Sequence, residues 1–172
     1  MTAPTIRVAT SHDLEPTLEI YNHAVRHTTA SYDYDPRPML EHQKWYADKL
    51  EHNFPLLIAE QEGRVAGFAT YGMFRTKIGY QYTVEHSVYV HPEFQGHGVG
   101  SALMPPLIEA ARAQNHHVMM AGIDSSNAGS IAFHRRFGFV EVGTLPQVGF
   151  KFGRWLDLLF MQLTLDPGGS RT

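Results

Sequence analysis

Residues 95–101, Gln-Gly-His-Gly-Val-Gly-Ser, constrain this chain more than any other stretch. The apolar, β-branched run Val88-Tyr89-Val90 precedes them, and a helical pattern over residues 101–114 follows. Glycine enters backbone conformations closed to other residues, so the segment reads as a strand, a tight turn and a helix start. Such a turn points successive backbone N–H groups outward, carries no side chain that blocks a ligand, and adds the positive end of a helix dipole. It is built to hold an anion, and phosphate is the expected one.

Three phosphate-binding patterns compete for this turn. A P-loop needs Gly-x-x-x-x-Gly-Lys-Ser/Thr, and no lysine follows these glycines. A dinucleotide fingerprint needs a glycine three positions after Gly100, where the chain has Leu103, and it opens a doubly wound domain instead of lying mid-chain. The pattern Gln/Arg-x-x-Gly-x-Gly/Ala is met by Gln95, Gly98 and Gly100. A glycine-rich turn without a ligand is the bland alternative.

The elements around the turn predict the fold. Strands are expected at 6–8, 54–61, 64–74, 82–90, 118–123, 139–144 and 155–165, and helices up to 28 and over 39–52, 101–114 and 127–137. Pro146 to Gly153 reads as the connection between the last two strands. The strand–helix–strand segment 82–123 implies a right-handed parallel crossover, and the hairpins around it imply antiparallel neighbours. The expectation is a single α/β domain: a mixed central sheet of about seven strands with helices on both faces. The tail, 166–172, is expected to fray. Pro105-Pro106 falls within the long helix and predicts a bend there, because each ring removes a donor and crowds the preceding turn.

Composition removes several functions. The 172 residues contain no cysteine, so a disulfide, a thiolate metal site and a cysteine nucleophile are all excluded. The net charge of −3 gives no basic field for nucleic acid. No signal peptide and no run of membrane-span length is visible, which points to the cytoplasm. Eleven histidines are many, but His86, His91 and His97 match no common ligand spacing, so no metal is expected. No Gly-x-Ser-x-Gly elbow is present for serine hydrolysis.

With these patterns in place, the chain resembles the GCN5-related N-acetyltransferase superfamily and, within it, the phosphinothricin and methionine-sulfoximine N-acetyltransferases. The residues that carry the likeness are Ile20-Tyr21-Asn22, the strand Thr83-Val84-Glu85-His86-Ser87-Val88-Tyr89-Val90 and the turn Gln95 to Gly100. Asn127, Ser130, His134, Gly138-Phe139 and Gly149-x-Lys151-x-Gly153-x-Trp155-x-Asp157 complete them. The likeness spans residues 6–165 and implies acetyl-CoA as donor, a small amino-acid analogue as acceptor, and a homodimer.

The chemistry would be attack of an amine on a thioester. An ammonium has no lone pair, and free amines titrate at roughly 8 to 10.4, so a carboxylate is needed near the attack point. Glu85, in mid-strand just before the turn, is the candidate, either as the base or as an ion partner of the ammonium. The resemblance makes His134 the proton donor for the departing thiolate or a relay for the amine's proton. It also gives the cofactor to Val88, Tyr89 and Val90 and to Asn127, beside the turn residues Gln95, Gly96, His97, Gly98, Val99, Gly100 and Ser101; Arg136 is either a contact to the cofactor's phosphates or simply surface charge. The acceptor is expected to meet Tyr32 in the 29–35 loop, Arg75, Thr76 and Lys77 after the third strand, and Glu85, His86 and Ser87. Rival readings are an acetyltransferase for protein N-termini or other amines, and a non-catalytic acyl-CoA-binding protein. The second of these would not need both Glu85 and His134.

Overall fold

The computed structural model describes residues 2–165. The expected frayed tail, 166–172, lies outside the described residues. In chain order the elements are β1 (Thr5–Val8), α1 (Leu14–His27), α2 (Met39–Glu51), β2 (Leu56–Gln61), β3 (Arg64–Met73), β4 (Thr83–Val90), α3 (Val99–Ala113), β5 (Val118–Asp124), α4 (Ala128–Arg136), β6 (Val140–Lys151) and β7 (Arg154–Thr164). The strand order in the seven-stranded sheet is β1-β2-β3-β4-β5-β7-β6. β4 and β5 run parallel, whereas β1–β2, β2–β3, β5–β7 and β6–β7 are antiparallel. This is the mixed α/β sheet that the sequence predicts. The described chain divides into two compact units, residues 2–71 with 87–107 and residues 72–86 with 108–165.

In the first unit, α1 turns Ile20, Tyr21, Ala24 and Val25 inward at helical spacing, and Ile20, Tyr21 and Val25 pack on Leu56, Ile58 and Phe68 of the strands. Trp45, Tyr46 and Tyr89 close the rim of this core. The segment between α1 and α2 is tied down by polar contacts. Asn22 accepts from the Arg37 backbone N–H at 2.7 Å and donates to the Arg37 carbonyl at 3.0 Å. Tyr21 donates its hydroxyl proton to Asp33, and the Arg37 guanidinium lies 3.9 Å above the Tyr21 ring. These bonds hold the loop that carries Tyr32, which is half-buried.

α3 begins at Val99, two residues before its predicted start, and its first backbone bond runs from the Ala102 N–H to the Gly98 carbonyl at 2.9 Å. Gly100 and Ser101 are therefore first-turn helical residues, not turn residues. Pro105 and Pro106 lie inside the helix, which continues through both without interruption to Ala113.

In the second unit, Met119, Ala121 and Ile123 of β5, Leu156, Leu159 and Met161 of β7, and Phe139 are all buried. The predicted connection over 146–153 is a correction. Val140–Lys151 is one long strand, and only Phe152 and Gly153 lie between it and β7. Pro146 is accommodated because the register shifts between Leu145 and Gly149, where Gln147 takes φ 55°. β6 is also an edge strand, where a missing N–H leaves no ladder partner unpaired.

Candidate active site

The two edges and the two faces of β4 differ. Its parallel register with β5 covers Thr83↔Val118, Val84↔Met119 and Glu85↔Met120 and stops there. β4 itself continues to Val90, while β5 continues along β7 to Asp124. The Val118 and His117 N–H groups bond the Tyr82 carbonyl, so even-numbered main-chain groups face the β5 side. The His91 N–H bonds the Ala66 carbonyl at 2.8 Å, so odd-numbered groups face β3. By the alternation of a strand, the N–H and C=O groups of Val88 and Val90 point away from β3, along an edge that β5 no longer pairs. An extended molecule bearing amides fits such an edge.

Gly67 of β3 makes the approach to this end of β4 possible. A Cβ there would lie 2.7 Å from the Tyr89 carbonyl oxygen and 2.9 Å from Val99 Cγ1. Gly96 and Gly98 take φ 77° and 82°, a region that costs other L residues about 1–2 kcal/mol. A Cβ at either meets no atom of the described residues within 4 Å, so within the chain both glycines serve backbone conformation. Gln95, Gly96, His97 and Gly98 are exposed, whereas Val99 is 1% exposed and pins the turn to the core. The N–H groups of Val99, Gly100 and Ser101 precede the first intrahelical bond of α3, the position at which helices bind anions. These residues fit a pyrophosphate.

Within the second unit, side-chain alternation separates the acid from the imidazole next to it. Glu85 is half-buried, and its Oε1 lies 3.0 Å from where a Cβ on Gly122 would stand. Gly122 is exposed although it lies in β5, an interior strand, and a Cβ there would also stand 3.3 Å from Leu158 Cδ1, so its missing side chain lets the carboxylate lie close against β5. Burial pushes the Glu85 carboxyl upward from its ordinary value, and the Arg75 guanidinium draws it partly back. Arg75 lies 4.2 Å over the Phe74 ring and donates to the Phe74 carbonyl at 2.9 Å. Phe74 is itself fixed edge-on to Tyr80 and Phe160. Thr76 and Lys77 are exposed and precede a short 3-10 turn at Ile78–Tyr80.

His86 points to the opposite face of β4. The sequence groups it with Glu85 and Ser87 as an acceptor contact, but alternation leaves only Glu85 and Ser87 on a shared face. His86 is 7% exposed, with its Nε2 3.1 Å from Nε2 of His134, and both rings lie against Phe139. His134 projects from α4, whose N-terminus is capped by the Asn127 side chain accepting from the Ser130 N–H at 3.0 Å. Burial lowers both imidazoles, His86 to about 3 with a further push from His134. Arg136 is exposed at the end of α4, its guanidinium 5.7 Å from the Phe133 ring centre. Gly122, Phe160 and the His86–His134 pairing were not legible as site features. A glycine in the apolar run 118–123 was the only hint. Among the described residues, no group of three His, Cys, Asp or Glu side chains could hold a metal ion.

The acetyltransferase (GNAT) family profile matches residues 17–139. The L-methionine sulfoximine/L-methionine sulfone acetyltransferase of Salmonella typhimurium is 49% identical over 162 residues, 94% of this chain and 95% of that protein. The phosphinothricin N-acetyltransferase of Alcaligenes faecalis is 38% identical over 169 residues, 98% of this chain and 86% of that protein. The crystal structure of a GNAT superfamily phosphinothricin acetyltransferase from Sinorhizobium meliloti, in complex with acetyl-CoA, matches with a TM-score of 0.95 at 34% identity, covering 99% of this chain and 93% of that one. With the glycine turn, the released edge of β4 and the parallel β4–β5 pair all in place, this chain belongs to the GNAT acetyltransferase family.

Proposed function

We propose that this protein transfers the acetyl group of acetyl-CoA directly to the α-amine of a small amino-acid analogue of the methionine sulfoximine, methionine sulfone or phosphinothricin kind. One observation carries the reading. β4 holds a carboxyl raised by burial at Glu85 and, three residues on, an edge whose main-chain groups at Val88 and Val90 point away from β3. The strand then leads into the glycine turn. Acetyl-CoA supplies the thioester carbonyl and the thiolate that leaves. Val88 and Val90 hold its extended arm and offer an N–H to the carbonyl oxygen as negative charge grows there, a donor worth on the order of 3 kcal/mol. Gly96, Gly98 and the first turn of α3 hold the pyrophosphate, with Gln95, His97, Asn127 and Arg136 as further cofactor contacts. With no cysteine in the chain, the acetyl group passes to the amine without a thiol stop on the protein.

Glu85 takes the amine's proton or pairs with the ammonium. A carboxyl raised by burial is the better proton acceptor of the two extremes, because its affinity approaches that needed near neutral pH. Arg75, with Lys77 and Thr76 beside it, meets the anionic groups of the acceptor, and Tyr32 and Ser87 bound its site. The His86–His134 pair handles the proton that the thiolate needs. We read both units as one catalytic domain, since the family match over 17–139 includes segments of each.

A homodimer is part of the reading. Val140, Val142, Leu145, Val148 and Phe150 of the edge strand β6, with Phe152 and Trp155, are all exposed. A long apolar edge strand of that kind is normally covered. The reading places the enzyme in the cytoplasm with a small-molecule substrate and without a nucleic-acid or membrane partner. The test is thiol release from acetyl-CoA by purified protein against methionine sulfoximine, methionine sulfone, phosphinothricin, arylamines and short peptides. Turnover confined to the peptides or arylamines would overturn the acceptor assignment.

A further inference from the structure

His134 has no nitrogen left over. Its Nδ1 lies 2.7 Å from the Ser130 carbonyl oxygen, which can only accept, so Nδ1 carries a hydrogen. Its Nε2 lies 3.1 Å from His86 Nε2, and two imidazole nitrogens at that separation share one hydrogen. When the pair is uncharged, His134 already has its hydrogen on Nδ1. The shared hydrogen therefore belongs to His86, whose Nε2–H donates to the bare Nε2 of His134. His86 Nδ1 is then a bare lone pair, and it is a buried atom with no hydrogen-bond partner among the described residues. Phe133 and Phe139 wall the pair with carbon.

We propose that His86 is the positioning residue of His134: its Nε2–H fixes His134 as the neutral Nδ1–H tautomer, and His86 Nδ1 is the atom through which the pair gains or loses a proton. One proton added at His86 Nδ1 lets the Nε2–H of His86 pass to His134 Nε2. His86 is left neutral with its hydrogen on Nδ1, and His134 carries the charge. The reverse shift returns the proton and restores the starting tautomers. His134 at rest is therefore an acceptor, and the proton that the loaded pair gives up leaves from His86 Nδ1. Burial, which disfavours charge on both rings, keeps the unloaded form as the resting one.

The tautomer assignment rests on geometry alone, and its catalytic consequence rests on the role given to His134 under Proposed function. The test is nitrogen NMR of the full-length protein labelled with 15N-histidine at neutral pH, with assignments from His86→Gln and His134→Gln. His134 is expected to be protonated on Nδ1 and bare on Nε2, with His86 protonated on Nε2 and bare on Nδ1. A hydrogen fixed on His134 Nε2, or rapid exchange between its tautomers, would overturn the proposal. In His86→Gln the amide still donates to His134, so that tautomer persists while kcat falls about tenfold at unchanged KM for both substrates. His86→Leu removes the donor, mixes the His134 tautomers and lowers kcat further. A kcat within twofold of wild type in His86→Leu would also overturn it. Wild-type turnover in His134→Gln would instead remove His134 from the mechanism, while the NMR result on the unmodified protein still decides the tautomers.

Discussion

On one face of β4, Glu85 lies half-buried with Arg75 nearby and exposed Gly122 beside its carboxylate. On the other, His86 is sealed against His134 and Phe139. The two residues are adjacent in sequence, and burial acts on both, yet it moves them in opposite directions. The carboxyl rises and the imidazole falls, because leaving water penalises the charged form whatever its sign. On the open face the result is a half-buried group with a greater appetite for a proton. On the closed face it is an uncharged pair whose hydrogens are placed by their neighbours. A single strand thus separates two proton-handling environments by its pleat alone.

The strongest way to break this contrast is to remove the titratable group from the open face. Glu85→Gln keeps the shape and is expected to lower kcat about 100-fold or more, with acetyl-CoA affinity within about twofold of wild type. Thiol release and calorimetry measure the two. A raised KM for the acceptor with kcat intact would make Glu85 an ion partner and not a base.

Gly67→Ala tests whether the released end of β4 depends on close approach. A Cβ 2.7 Å from the Tyr89 carbonyl oxygen must push backbone aside. The expected cost is about 1–3 kcal/mol, seen as a drop of several degrees in Tm together with weaker acetyl-CoA binding. An unchanged Tm would show that β4 has room to shift.

Acid titration addresses the closed face. His86 is held down to about 3 and His42, buried in the first unit, to about 4, against an ordinary 6.5. Between those values and 6.5 the unfolded chain binds protons that the folded chain refuses. Stability is then complete above about pH 6.5, falls as pH drops, and the loss attributable to these two levels off near pH 3 to 4. Tm measured from pH 7 to 4 should fall, and more shallowly in His86→Gln. An identical slope in that variant would mean that His86 is not held neutral.

The smallest effect is expected at Gly122→Ala, where the added Cβ would stand 3.0 Å from a flexible carboxylate oxygen and 3.3 Å from Leu158 Cδ1. Glu85 can give by a few tenths of an ångström, so the fold should survive. The KM of the bulkier acceptors should rise about threefold more than that of the smallest, a difference under 1 kcal/mol. Equal changes across acceptors would place Gly122 outside the acceptor's space.

Local residue chemistry made the turn at 95–101 legible, because glycine at positive φ is a property of single residues. The strands flanking it were legible from their β-branched runs for the same reason. The segment after Thr144 was not. Pro146 and Gly149 read as a connection, yet β6 runs through them because an edge strand with a bulge tolerates both. Whether a strand lies at an edge depends on its partners and not on its own residues. The grouping of Glu85, His86 and Ser87 was half legible, since the period of two separates them once the strand is known.

By itself, then, the sequence determined the strand–turn–helix device and the absence of a thiol route, and it singled out Glu85 and His134 as candidates for handling protons. Short-range backbone preferences and side-chain chemistry suffice for these. Only the tertiary structure decided that the β4–β5 register ends at Glu85, that Gly122 lets that carboxylate lie close against β5, and that His86 faces His134. Each of these is a meeting of residues distant along the chain, and packing alone brings such residues together.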